Sequence, residues 1–222
     1  MNRPTATHEA GHAVGRLLTA SLMGYKPAEA VELIEIGGSF VTMDNGERMR
    51  SLGQTVGPFV SLPLETALKD YASGRTGVDF WAVAKKAGTL EDRRISMATK
   101  MLICVMGAAA EAKLQRLPEP ISTFMSAACA GDRSDFSKCC TVMGLTDTEA
   151  LDAQREFLSH ARSLVRNEAV WAAINAIAFN LVDAKEDMSG QTVADLAWPL
   201  LSQEPGIQAL PSSWVVAAAQ QA

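Results

Sequence analysis

His8-Glu9-Ala10-Gly11-His12 lies inside an amphipathic stretch and constrains this chain more than any other segment. Ala10, Val14, Leu17, Leu18 and Leu22 recur at steps of three and four, which predicts a helix from Thr7 to about Met23 with Gly24 as its stop. Residues i and i+4 share one face of a helix, so His8 and His12 aim both imidazoles at one point. The sequence holds only 3 histidines in 222 residues, so a chance pair of surface histidines is the weaker reading. Ala10 and Gly11 leave room for another element to approach closely.

Two imidazoles converging from one helix suit Zn²⁺, whose catalytic sites take three protein ligands and one water. Glu9 lies beside His8 and can accept a proton from a metal-activated water, the logic of the HExxH motif. A third ligand must come from elsewhere, because Ala13-Val14-Gly15-Arg16-Leu17-Leu18 carries no further histidine. Glu111, Asp132, Asp135 and His160 are the candidates, and spacing does not choose among them.

A net charge of -5 gives no basic footprint, which argues against a nucleic-acid partner. The 4 cysteines follow no CxxC spacing, so a reduced, cytoplasmic protein is expected. The densest apolar run, Met101 to Ala110, stops at Glu111 and falls short of the ~20 residues that span a bilayer. It predicts a buried helix with no membrane span. The N-terminus shows no secretory pattern.

Further along, Val31 to Thr42 is the best strand candidate, expected as a hairpin closed by Asp44-Asn45-Gly46. Met49 to Gly88 is rich in Gly and Pro and is read as short elements and a long loop. Helical periodicity returns from Leu90 to Leu117. A loop is expected through Pro118–Ser134, with a helix from Ser134 or Asp135 to about Met143 and Gly144 as its stop. Asp147 to Ala184 predicts two helices or one bent helix, and the stretch after Met188 one short helix followed by a tail. The fold class expected is mainly α with a small β-hairpin or sheet near the zinc-site helix, as one domain over residues 1–222.

At this point a resemblance is visible. His8-Glu9-Ala10-Gly11-His12-Ala13-Val14 resembles the zinc-site helix of the FtsH family of ATP-dependent zinc metalloproteases. Met106 to Leu114 (MGAAAEAKL) is similar to that family's GGRAAEE-type helix, and Ala130 to Leu145 (AGDRSDFSKCCTVMGL) to its TGASNDLxxAT segment. The resemblance runs from His8 to about Leu196, leaving 197–222 as a tail, and is weakest over Met49 to Gly88. It implies a zincin-like metalloprotease domain, with Asp135 as the third zinc ligand beside His8 and His12. Asp135 also sits where a loop is expected to enter a helix, and a plain N-cap is its alternative role. Asp132 is then expected to be a solvated loop residue, and Glu111 either a partner orienting a histidine or a surface residue. His160 is expected to be structural or exposed.

The family joins this domain to an ATPase module and a membrane anchor, but no GxxxxGK[ST] phosphate loop occurs here. The reading is an ATP-independent zinc endopeptidase: His8, His12 and Asp135 hold Zn²⁺, and Glu9 is the general base. Its substrates are unfolded polypeptides or chains delivered by a separate ATPase partner, with an extended peptide added to the Val31–Thr42 hairpin edge. The resemblance also implies a homo-hexamer. The competing class is a protease-like binding or assembly module without turnover; an intact Glu9 favours the enzyme.

Overall fold

The computed structural model of the protein describes residues 1–36, 40–42, 48–50, 53–72 and 79–215, with 40–42, 48–50 and residue 72 given by backbone alone. The zinc-motif helix, α1, spans Arg3–Thr19 and so starts four residues earlier than the periodicity suggests. Its start is set by Asn2, whose side chain accepts from the Thr5 backbone N–H at 2.9 Å, with Pro4 in the first turn. The chain turns away after Ala20, and Gly24 adopts a left-handed φ of 80° in that turn. Helix α1 is buried along nearly its whole length, with Ala6, Ala10, Ala13, Val14 and Leu17 in the core.

A short helix α2 (Pro27–Ala30) leads into strand β1 (Leu33–Glu35). Strands β2 (Phe40–Thr42) and β3 (Arg48–Arg50) pair antiparallel with Val41 opposite Met49. They flank Asp44-Asn45-Gly46, which itself lies outside the described residues. The expected hairpin needs correction at its first strand. β1 does not pair with β2; it is the middle of a separate sheet, between β4 (Gln54–Val56) and β5 (Met188–Ser189), antiparallel to both. Ile34, fully buried, faces Thr55 on one side and Met188 on the other. Both edges of β1 are therefore taken, and among the described residues β4 and β5 are the outer strands of that sheet.

The segment read as short elements and a long loop holds helix α3 (Leu62–Ala72) and the shorter α4 (Phe80–Ala84). Leu64 and Leu68 provide the helical stripe, and Leu64 is fully buried, but the flanking Gly and Pro hide that signal. Helix α5 (Leu90–Leu114) opens on a capping box in which Thr89 and Asp92 satisfy each other's backbone N–H. It ends where Leu117 N–H bonds back to Ala112 O at 2.9 Å and Pro118 follows. By length and composition α5 could cross a membrane, yet 83% of its apolar window is buried inside the fold.

After helix α6 (Ile121–Phe124) and a 3₁₀ turn at Ala127–Cys129, helix α7 runs Ala130–Met143, capped by Gly144 at a φ of 72°. The helix begins at Ala130 rather than at Ser134 or Asp135. Arg133 helps to hold that start by donating to Phe124 O at 2.6 Å, while Phe136 packs against Phe124 and Phe157. Helices α8 (Asp147–Arg166) and α9 (Glu168–Asp183) are two separate helices, with Asn167 closing one and capping the next. Helix α10 (Gly190–Leu201) and a last turn, α11 (Ser212–Val215), complete the described chain. Near the end of the described residues Trp214 meets Phe157 edge to face and donates its indole N–H to Glu156. The architecture is mainly α with a small antiparallel sheet, and α5 packs against α1, α7 and α8 at its centre.

Candidate metal centre

Helix α1 presents His8 and His12 on one face, with ring centroids 4.6 Å apart and planes at 83°. Helix α5 runs antiparallel beside it and anchors both rings from behind. His12 Nδ1 lies 2.6 Å from Ile103 O, and His8 Nδ1 lies 3.2 Å from Glu111 Oε2. Ile103, Gly107 and Glu111 are spaced by four, so one face of α5 serves both histidines. A backbone carbonyl can only accept, so His12 Nδ1 carries a proton, which leaves Nε2 as the lone-pair nitrogen of the neutral ring. An ionised Glu111 fixes His8 in the same way. Of the two roles open to Glu111, orienting a histidine is the one its position fits.

Helices α1 and α5 approach so closely because the facing positions are small. A Cβ at Gly11 would lie 2.6 Å from Met106 O. A Cβ at Gly107 would lie 2.7 Å from His8 Nε2 and 2.7 Å from His12 Nε2. Both Nε2 atoms therefore converge on space that only a glycine leaves open.

The acid that meets them is Asp132. Its Oδ2 lies 3.3 Å from His8 Nε2 and 3.5 Å from His12 Nε2. Asp135, expected in this position, is instead paired with Lys100 of α5 at 2.9 Å and lies 3.9 Å from Lys138. The reason is where α7 begins. Because the helix starts at Ala130, Asp132 falls in its first turn, directed at the histidines. Asp135, only about 60° away around the helix but ~4.5 Å further along its axis, reaches Lys100 instead. Asp132 is thus not a solvated loop residue. His160 is remote from the site, and its Nε2 lies 3.0 Å from Gln208 O.

No protein-family model matches the chain, and no curated protein does. What the centre can do follows from its own geometry.

Two donors ~2.0–2.1 Å from one ion at the tetrahedral angle stand ~3.3–3.4 Å apart. The separations of 3.3 and 3.5 Å from Asp132 to the two imidazoles fit that edge. The chemistry of the donors agrees. Two imidazole lone pairs and a carboxylate facing one another repel unless a cation joins them, and a proton or a metal ion can fill that role. Without a metal the proton takes it. Burial opposes the charged form of His8, but hydrogen bonds to Asp132 and Glu111, with the charges of Asp132 and Glu9, raise its pKa well above 6.5. Burial likewise opposes the Asp132 carboxylate, and the two histidines outweigh it, holding the group far below the usual carboxylate range.

Glu9 is buried beside this centre. Thr55 of β4 donates its hydroxyl to Glu9 Oε2 at 2.9 Å, tying the edge strand to the carboxylate. Cys129 also belongs to the cluster: its Sγ and the ligand atoms of His8 and Asp132 all lie within 4.8 Å of one another. Reasoning from spacing held Asp132 among four candidates without choosing it, and missed Thr55, Gly107 and Cys129. A signal for Asp132 was available, since an acid in the first turn of a helix is favoured by the backbone dipole. A cavity of about 800 Å³, lined by Tyr25, Phe59, Leu68 and Phe80, contains none of the metal-centre residues.

Proposed function

We propose that the protein is a zinc-dependent endopeptidase acting on unfolded or partner-delivered polypeptides. The observation that carries this reading is the approach of Asp132 Oδ2 to both His8 Nε2 and His12 Nε2, at 3.3 and 3.5 Å, with both imidazoles anchored from behind. His8, His12 and Asp132 hold Zn²⁺ in this reading, with Asp132 in the place the family resemblance gave to Asp135. Zinc bound there supplies a Lewis acid that polarises a peptide carbonyl and lowers the pKa of a water to ~7. Glu9 would serve there as the general base, accepting a proton from the attacking water and returning it to the leaving amine. Thr55 keeps the Glu9 carboxylate turned to one side of the helix, and β4 offers the sheet edge along which an extended substrate adds. A zincin-like arrangement of helix and edge strand is the finer fold description that goes with this function.

A second reading has one observation in its favour. The Cys129 thiol groups with His8 and Asp132, their ligand atoms all within 4.8 Å, and a site with four protein ligands is usually structural. The protein would then be a binding or assembly module.

Glu9→Gln separates the two. Zinc content and fold are retained, because Glu9 is not a ligand, while turnover of an unfolded substrate such as casein falls by ~10²–10⁴. Equal turnover in the variant and the wild type removes Glu9 from its role. Zinc-loaded wild type without turnover of any unfolded chain supports the module.

A further inference from the structure

Four cations border one cavity of about 220 Å³, although the chain as a whole has a net charge of -5. Lys113 and Arg116 come from the end of α5 and the turn after it, and Arg162 and Arg166 from the end of α8. Ala112, Leu117 and Val165 supply an apolar wall. Lys113 stands two residues after Glu111, ~200° around α5, so this cavity lies on the other side of the helix from the histidines.

The two helix C-termini explain part of this cluster, since each offers about half a negative charge. The nearby carboxylates are Glu119, paired with Arg162, and Glu168, whose charge acts on Lys113. Against four cations these leave about one positive charge unbalanced. Donors are also left over. The side chains of Arg116 and Arg166 have no hydrogen bond or ion pair among the described residues, and Arg162 Nε is buried without an acceptor. Lys113 is the exception: its ammonium donates to Val165 O at 2.5 Å and sits 4.3 Å above the Trp171 ring. Burial and the charge of Arg166 push its pKa below the ordinary lysine value, against the pull of Glu168.

The backbone adds a separate observation. Arg116, at a φ of 59°, is the one non-glycine residue with a positive φ among the described residues. Its N–H bonds to Lys113 O at 3.1 Å, and the next N–H, of Leu117, to Ala112 O at 2.9 Å. That is the helix-ending turn whose left-handed position glycine usually fills, because a Cβ is strained there. A long cation is thus held at the cavity from a position that penalises any side chain.

We propose that this cavity binds a small organic phosphate, with Arg116, Arg162 and Arg166 around the phosphoryl group and the apolar wall against the carbon skeleton. A carboxylate offers two oxygens, whereas a phosphate monoester offers three and so can take donor forks from three guanidiniums. Its charge of about -1.5 to -2 at neutral pH also meets the local excess. The volume lies below the ~300–1,000 Å³ of pockets for drug-sized ligands, which suits a molecule the size of phenyl phosphate. This site is independent of the metal centre and stands or falls without it.

Calorimetric titration of the full chain with phenyl phosphate tests this, with inorganic phosphate and benzoate as companion ligands. Phenyl phosphate should bind once per chain and more tightly than either companion. Arg116→Gln and Arg166→Gln should each weaken it ~10-fold, the worth of one charge-assisted hydrogen bond. Both residues are exposed, so neither change disturbs the core. Lys85→Gln removes the same charge shortly before α5 begins, at the opposite end of that helix, and should leave the affinity unchanged. Absence of saturable phenyl phosphate binding at millimolar concentrations overturns the site. An equal loss in Lys85→Gln also overturns it, by showing attraction to charge alone. Benzoate or inorganic phosphate bound as tightly as phenyl phosphate overturns the assigned ligand class.

Discussion

Gly107→Ala isolates the convergence of the two histidines from every other property of the fold. The added methyl would lie 2.7 Å from His8 Nε2 and from both Cε1 and Nε2 of His12. Ordinary contact distances begin near ~3.5 Å, so the overlap is about 0.8 Å with both rings at once. Neither ring can retreat freely, because each is anchored through Nδ1 to the same helix that carries the methyl, at 2.6 Å for His12 and 3.2 Å for His8. Helix α1 cannot back away without opening its contact at Gly11 and Gly15.

Overpacking of this kind costs about 1–3 kcal/mol, and Gly→Ala in a helix returns about 1 kcal/mol through propensity. Metal-free stability should therefore fall by about 0–2 kcal/mol. A metal site tolerates donor shifts of only about 0.2 Å, so the strain must also be met when zinc binds. At 1.4 kcal/mol per tenfold, 1–3 kcal/mol corresponds to zinc affinity lower by ~5–150-fold. Competition with a chelating dye measures that shift, with thermal unfolding of the chelated protein as the stability control. Gly131→Ala is the matched comparison: its Cβ meets nothing within 4 Å, and it should leave zinc affinity unchanged. Zinc affinity equal to wild type in Gly107→Ala would show that the imidazoles do not converge there.

The two aspartates can be separated by substitution. Asp132→Asn should abolish stoichiometric zinc, whereas Asp135→Asn should keep it and cost up to ~3 kcal/mol in stability by leaving Lys100 without its counter-charge. Adding Lys100→Met to Asp135→Asn should recover part of that loss, and zinc lost only in Asp135→Asn would reverse the assignment. The metal-free protein should also respond to pH in a set direction. The raised pKa of His8 gives stability that is present below 6.5 and is lost as pH rises through its folded value. The lowered pKa of Asp132 gives stability that is present above 3.8 and is lost only in stronger acid. Chelated protein should thus melt lower at about pH 9 than at about pH 6, while the gain from added zinc grows over the same range. A chelated protein whose melting temperature rises across that range contradicts the geometry of the site.

Local chemistry settled a good part of this molecule. Once α1 is helical, His8 and His12 must share a face and Glu9 must stand beside them, because the period of the helix allows nothing else. The stripes of α5, α8, α9 and α10 were legible for the same reason, each being long enough for its periodicity to outweigh local noise. Strands of two or three residues carry no such signal. β1 meets β5 only because the chain returns some 150 residues later, so its pairing depends on packing that no local pattern records. The choice of the third acid has the same origin. Asp132 and Asp135 lie three residues apart in "GDRSD", and either could face a neighbouring helix. What decides between them is the start of α7 at Ala130, fixed by Arg133 on the Phe124 and Ser126 carbonyls and by the aromatic contact of Phe136. The sequence determined which residues could bind a metal from one helix face. Tertiary packing decided which acid completes the set, because the rotation of α7 against α1 and α5 is set by long-range contacts.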